Sequence, residues 1–403
     1  MLTGSSTGHP LYSYGKPYYT SSALVTPSVN TDSFPEAEEC LAHLALLEAF
    51  VHRRCQVTQS AGEHSWHAYV KAASVKFAKW VSAINQKPSD GIPEPPSLDV
   101  LMVWHAFMLN PVKYAQFEKL TLLPRKGVDW ARLPNILNNP FDIPTPSLTT
   151  DTTTTATSPS FTITTPAGQP APIPFDLPAA VHRQHAFATK MTRYAWHRSP
   201  HAPEIMHRSI ARYANFFSLL KINHQTARKR DIAVPTLDVD LVWHTHQLRP
   251  GGYRDFARVG PLFDSSHKKE GKEGGFINHD DTLPSPLLHS SFHATQSLYR
   301  AVFGAEYDIC LCWVCAAASA GPDGPVGDVR GLRGEVGGLV EKESTRLEEM
   351  GLVGGADLAR VGCRLCGEHG GRGCAVEGEG DGEGEGGCGS GCGEGGCGGC
   401  GGR

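Results

Sequence analysis

The chain has 403 residues, 40% of them apolar, which is enough for a sizeable core and for two or three domains. Its net charge of −4 at pH 7 excludes the strongly basic footprint of a nucleic-acid binder. No apolar run reaches the ~20 residues that span a bilayer, and the opening Met1-Leu-Thr-Gly-Ser-Ser has neither a basic n-region nor an apolar h-region. An intracellular, cytoplasmic protein that works with a protein partner is therefore expected.

Residues 1–35, rich in Ser, Thr, Tyr, Pro and Gly without sustained period, read as a loose arm. Leu41, Leu44, Leu47 and Val51 then recur near one helical turn and predict a helix over 36–54. Trp66, Tyr69, Val70, Ala73, Phe77, Trp80, Val81 and Ile84 predict another over 64–86. A third follows in Leu98-Asp-Val-Leu-Met-Val-Trp-His-Ala-Phe-Met-Leu-Asn-Pro-Val-Lys-Tyr-Ala-Gln-Phe117. That segment returns as Leu237-Asp-Val-Asp-Leu-Val-Trp-His-Thr-His-Gln-Leu-Arg-Pro-Gly-Gly-Tyr-Arg-Asp-Phe256, with ten of twenty positions identical at an ungapped offset of 139. Upstream, Phe77 falls on Phe216 and Pro96 on Pro235, and the counterpart of the second helix is 203–223.

Within each copy Ser97 or Thr236 is placed to cap the motif helix, and Asp99 or Asp238 sets a negative charge in its first turn. Pro111 and Pro250 stop it, and Asn110-Pro111 starts a short helix carrying Tyr114 and Phe117. Between the copies, 18 of the 31 residues in 144–174 are Thr or Pro, so a flexible linker is expected over 126–178. A helix near 285–303 ends at Gly304, and a weak one is predicted over 332–350. Residues 377–403 hold 15 glycines, 6 acidic residues and 4 cysteines and read as disordered. The expected fold is mainly α: a first repeat unit at 36–125 and a second at 179–316, packed together, with 317–403 as weak helix and tail.

The repeat also frames the candidate chemistry. Trp104, His105, Trp243 and His244 sit mid-helix among apolar residues and read as packing positions common to both copies. Asp240 exists only in the second copy, where the first has Leu101, and lies one turn from His244. The pair reads either as an i, i+4 hydrogen bond on a helix surface or as a carboxylate orienting an imidazole for a ligand or metal. His246 is also unique to the second copy, but residues two apart on a helix differ by about 200°, so His244 and His246 could chelate one ion only if the helix were broken there. Ten of the twelve cysteines lie after residue 309. Cys310, Cys312 and Cys315 form the strongest metal signal, a thiolate run suited to zinc, with Cys363 and Cys366, or His246 or His279, completing it. The alternative is inert packing. His279-Asp-Asp281 has the H-x-D form of iron sites, with His289 or His293 as a third ligand.

The residues 237–248, with Phe276-Ile-Asn-His-Asp-Asp281, Tyr307-Asp-Ile-Cys-Leu-Cys-Trp-Val-Cys315 and the Gly/Cys tail, resemble the glycine-rich domain-containing proteins of plants and fungi, and the fungal members in particular. The resemblance covers roughly 36–125 and 179–316. It implies a helical domain, and for the plant members an association with stress and developmental responses, but carries no catalytic residues over. Two function classes follow. One is a non-enzymatic interaction or scaffold module with a structural zinc; the other is a metal-dependent, non-haem iron oxygenase-like enzyme centred on the second unit.

Overall fold

Gly62, at φ 77°, ends the first long helix, its N–H donating to Thr58 O at 2.8 Å, and the chain turns directly into the second. The two are α1 (Ala37–Ala61) and α2 (Glu63–Gln86). The computed structural model describes residues 33–86, 96–138, 161–225, 232–259, 277–309, 312–313, 315 and 329–352. The Gly/Cys tail and nearly all of the N-terminal arm lie outside the described residues. The last described residues of that arm are not loose. Phe34 is buried, its ring 4.8 Å from Tyr213 and 5.4 Å from Phe256.

After α2 come α3 (Leu98–Met108), α4 (Pro111–Glu118), a 3-10 turn at Trp130–Arg132 and α5 (Leu133–Asn138). The second half holds α6 (Leu177–Tyr194), a 3-10 turn at Trp196–Arg198, α7 (Ala202–Gln225), α8 (Leu237–Gln247) and α9 (Pro250–Val259). The bounds of α7 and α8 lie 139 residues beyond those of α2 and α3. α10 (Ser285–Phe303), stopped by Gly304 at φ 64°, and α11 (Val329–Glu349) complete the described chain.

Part of the segment read as linker is ordered. β1 (Thr162–Thr164) and β2 (Pro170–Pro172) form an antiparallel hairpin with Ile163 opposite Ala171. Ile163 is buried, and the strand is sewn to α2 by Asn85 Nδ2 donating to Thr164 O (2.8 Å) and Thr164 N donating to Ser82 Oγ (2.9 Å). Threonine suits a strand, and the prolines sit where no ladder donor is needed.

The two halves interlock. α1 packs on α2 but also on α7 and α8, while α6 packs on α1, α2 and α3. Residues 125–128 add a backbone seam: Val128 N donates to Leu248 O (3.1 Å) and Gly251 N to Arg125 O (2.9 Å). Gly127, at φ 70°, approaches so closely that a Cβ there would meet Leu248 O at 1.8 Å. Ion pairs Glu39–Arg249 and Glu118–Arg254 cross the same boundary.

The expected N-caps take a different form. Ser97 and Thr236 make no side-chain bond to the helix backbone; each hydroxyl donates instead to the aspartate two residues on, at 2.5 and 2.6 Å. Each aspartate is in turn held by a cation on the preceding helix, Asp99 by Lys76 (2.6 Å) and Asp238 by Arg212 (2.7 Å). A formal charge within reach is a stronger partner for the carboxylate than the helix dipole, and it recruits the hydroxyl.

Candidate functional site

α8 is buried along its whole length, because α1 and α7 both pack on it. Its polar residues therefore face protein. Asp240 and His244, one turn apart, share a face, and His246 points elsewhere: its Nδ1 lies 3.0 Å from Tyr213 Oη and its ring packs on Phe256. The Asp240–His244 pair does not sit on a helix surface, since the two are 0% and 1% exposed.

The third member comes from outside the helix. His279 lies in the stretch leading into α10, and that stretch is fastened on both sides of it. Tyr253 Oη donates to Ile277 O at 2.8 Å, and Asp281 Oδ2 receives Gln184 Nε2 at 3.2 Å and pairs with Arg183 Nε at 3.0 Å. His279 Nε2 is thereby set 3.1 Å from His244 Nε2 and 3.3 Å from Asp240 Oδ1, which is itself 3.5 Å from His244 Nε2. Among the described residues this is the one group of three metal-capable side chains with mutually convergent donor atoms. Phe187 packs tilted against His244 with ring centroids 4.4 Å apart, and Trp243 meets His279 edge-on at 5.0 Å, closing the surroundings with apolar rings.

Electrostatics separates the two imidazoles. Burial drives His244 well below the usual histidine range, and the neighbouring His279, His43 and His105 add to it. Burial also opposes charge on His279, but the hydrogen bond and charge of Asp240, with Asp281 and Asp280, outweigh it and raise that imidazole above its ordinary value.

The first copy has a different centre. His105 Nε2 lies 2.9 Å from His43 Nε2, and His43 Nδ1 lies 2.8 Å from Thr245 Oγ1 on α8. Leu101 replaces the carboxylate, so two imidazoles meet with no anion, and burial pushes His105 down to about 3. Trp104 and Trp243 play matching parts. Each indole N–H donates to the tyrosine ten residues on, Tyr114 at 2.8 Å and Tyr253 at 3.0 Å.

The ligand sets expected from sequence are redistributed. His279 is metal-capable, but its companions are His244 and Asp240 rather than cysteines or His246. His289 and His293 are exposed on α10, and Asp281 is spent on Arg183 and Gln184, so the H-x-D reading supplies one ligand only. Cys310 lies outside the described residues. Cys312 is buried, its Sγ accepting from Cys315 N at 3.5 Å, and Cys315 is disulfide-bonded. Sequence reasoning overlooked His43, although it shares the buried face of α1 with Leu47 and Phe50. It also overlooked Arg212, which signals itself only as a cation inside an apolar helix face.

Residues 130–255 match the family model Glycine-rich domain-containing protein-like. The chain is 29% identical over 286 residues to Glycine-rich domain-containing protein 1 of Arabidopsis thaliana, covering 66% of this chain and 31% of that one. It is 27% identical over 292 residues to Glycine-rich domain-containing protein 2 of the same plant, covering 66% and 32%. The chain thus spans about a third of the length of these curated relatives. No solved structure matches. The family match contains Asp240 and His244 and ends before His279.

Proposed function

We propose, from the premise that this chain belongs through residues 130–255 to the Glycine-rich domain-containing protein-like family, that it acts as a non-enzymatic interaction module. In this reading its interlocked halves form one scaffold for a protein partner. The observation that carries the proposal is burial. Asp240, His244, His246, His279 and His105 are at most 2% exposed, and rings of Phe187 and Trp243 flank the convergent group. Groups placed so serve to tie helices together, whereas a catalyst has to admit substrate to its reacting atoms. No helix among the described residues is long and apolar enough to cross a membrane, so the module is proposed to work in the cytoplasm.

A second reading is favoured by one observation. Two histidines and a carboxylate converge, the donor set of non-haem iron oxygenases. Full-length protein loaded anaerobically with Fe(II) and then given oxygen and 2-oxoglutarate decides between them. The module reading expects oxygen uptake no faster than iron alone, and partner capture that survives Asp240→Leu. Iron-dependent oxygen consumption abolished by Asp240→Leu would establish the enzyme instead.

A further inference from the structure

We propose that Asp240 Oδ1, His244 Nε2 and His279 Nε2 bind one divalent first-row transition ion, zinc in the resting protein, which joins α8 to the stretch leading into α10. The three donor atoms form a triangle with edges of 3.1, 3.3 and 3.5 Å. Ligands placed tetrahedrally at the usual zinc distances of ~2.0–2.1 Å stand about 3.3–3.4 Å apart, so the triangle already has the edge of such a site. Two imidazoles and one carboxylate suit zinc and its neighbours and do not suit magnesium or calcium, which take oxygen cages.

A second, independent observation points the same way. Asp240 is fully buried, and its Oδ2 has no hydrogen-bond partner among the described residues. A buried carboxylate left half satisfied beside two imidazole lone pairs is costly. A cation at the centre of the triangle takes up all three facing lone pairs at once, and Oδ2 is a further donor on the same carboxylate. It also removes the competition between His244 and Asp240 for the single proton that His279 Nε2 can offer when neutral.

The internal comparison supplies a control. The equivalent place in the first half keeps the histidine, His105, but has Leu101 where the carboxylate would be, and its Nε2 meets His43 Nε2 at 2.9 Å. Leucine is therefore compatible with this position of a motif helix, and Asp240→Leu removes the ligand by a side chain that the equivalent helix α3 already packs. Such a site holds its ion with or without turnover. An iron-loaded, turning-over protein would end the module reading while leaving this site in place.

The test is metal content of the full chain, purified under reducing conditions without added chelator and after reconstitution with zinc or cobalt(II). About one equivalent per chain is expected. It should fall below about a tenth in Asp240→Leu and in His279→Gln, with near-ultraviolet dichroism retained. Chelator should lower the Tm of the parent protein and leave that of Asp240→Leu unmoved. Should both variants fold poorly, cobalt in the parent protein still decides. Histidine–carboxylate ligation gives visible d–d bands without a thiolate charge-transfer band in the near ultraviolet. Parent protein that takes up no zinc or cobalt, metal fully retained in both variants, or a thiolate band from cysteine ligation would each overturn the assignment.

Discussion

His105 shows how one position of the repeat can keep its residue in both halves and meet different partners in each. It is neutral because burial pushes its imidazole down to about 3, and the adjoining His43 is driven well below the ordinary range by burial and by His105 itself. A group whose folded pKa lies below its unfolded value contributes stability that is complete above pH ~6.5 and is lost as pH falls toward the folded value. Between pH 6.5 and 5, each such histidine should cost about 1.4 kcal/mol per pH unit. Urea unfolding at pH 7 and pH 5 reads this directly, and His105→Gln should shrink the difference; equal stabilities at the two pH values would refute it. Gly127 is the other residue-scale case. Its positive φ and its approach to Leu248 O leave no room for a methyl group, so Gly127→Ala should destabilise by on the order of 3 kcal/mol in denaturant melts. A loss under about 0.5 kcal/mol, the scale of an ordinary surface change, would show that the seam is not held as described.

Between residue and whole, the motif helices α3 and α8 carry the same device at their N-termini with unequal strength. A hydroxyl donates to an aspartate, and a cation from the preceding helix neutralises it. Around α8 the pair is sealed. Arg212 and Asp238 are buried, and the guanidinium also donates to Thr236 Oγ1 and Tyr307 O. Around α3 the cation is Lys76, whose side chain is 44% exposed. Asp238→Asn should therefore cost about 3–5 kcal/mol, because it strands a buried guanidinium. Asp99→Asn should cost about 1 kcal/mol or less, because water replaces the lost partner. Calorimetry on the two variants checks the ranking, and comparable losses would contradict this account of burial.

At the scale of the molecule, the decisive fact is that α1 and α6 each pack on helices of the other half. Residues 36–125 alone would expose the side of α1 that meets α7 and α8, including His43, whose hydrogen bond goes to Thr245. That fragment is expected to show no cooperative thermal transition, because it cannot bury its apolar faces by itself. A monomeric fragment that melts cooperatively would make the halves separable domains and undo the interlocked description. Further from the interface, α11 is drawn to the body by Arg346 and Glu48, whose carboxylate also takes His197 and Arg198. Burial opposes ionisation of Glu48, but these partners hold its carboxyl far below the usual range.

What the sequence alone determined was the local order: apolar periodicity placed α1, α2, α7, α10 and α11, because a helix facing a core must repeat every 3.6 residues, and the repeat with its cap and proline signals placed α3 and α8. The internal repeat located the Trp-His positions, and the i, i+4 spacing put Asp240 beside His244 while setting His246 apart. The ordered hairpin at 162–172 escaped notice because composition averages over a segment, whereas Ile163 alone supplies its anchor. Only the tertiary structure brought His279 to that pair. His279 lies 35 residues from His244 in sequence, and its position depends on Tyr253, Arg183 and Gln184, which lie on two other helices. Tertiary packing alone likewise made the Asp240–His244 pair a buried one. A short helix reads the same in sequence whether it faces water or lies between α1 and α7, and burial depends on neighbours that local spacing does not specify.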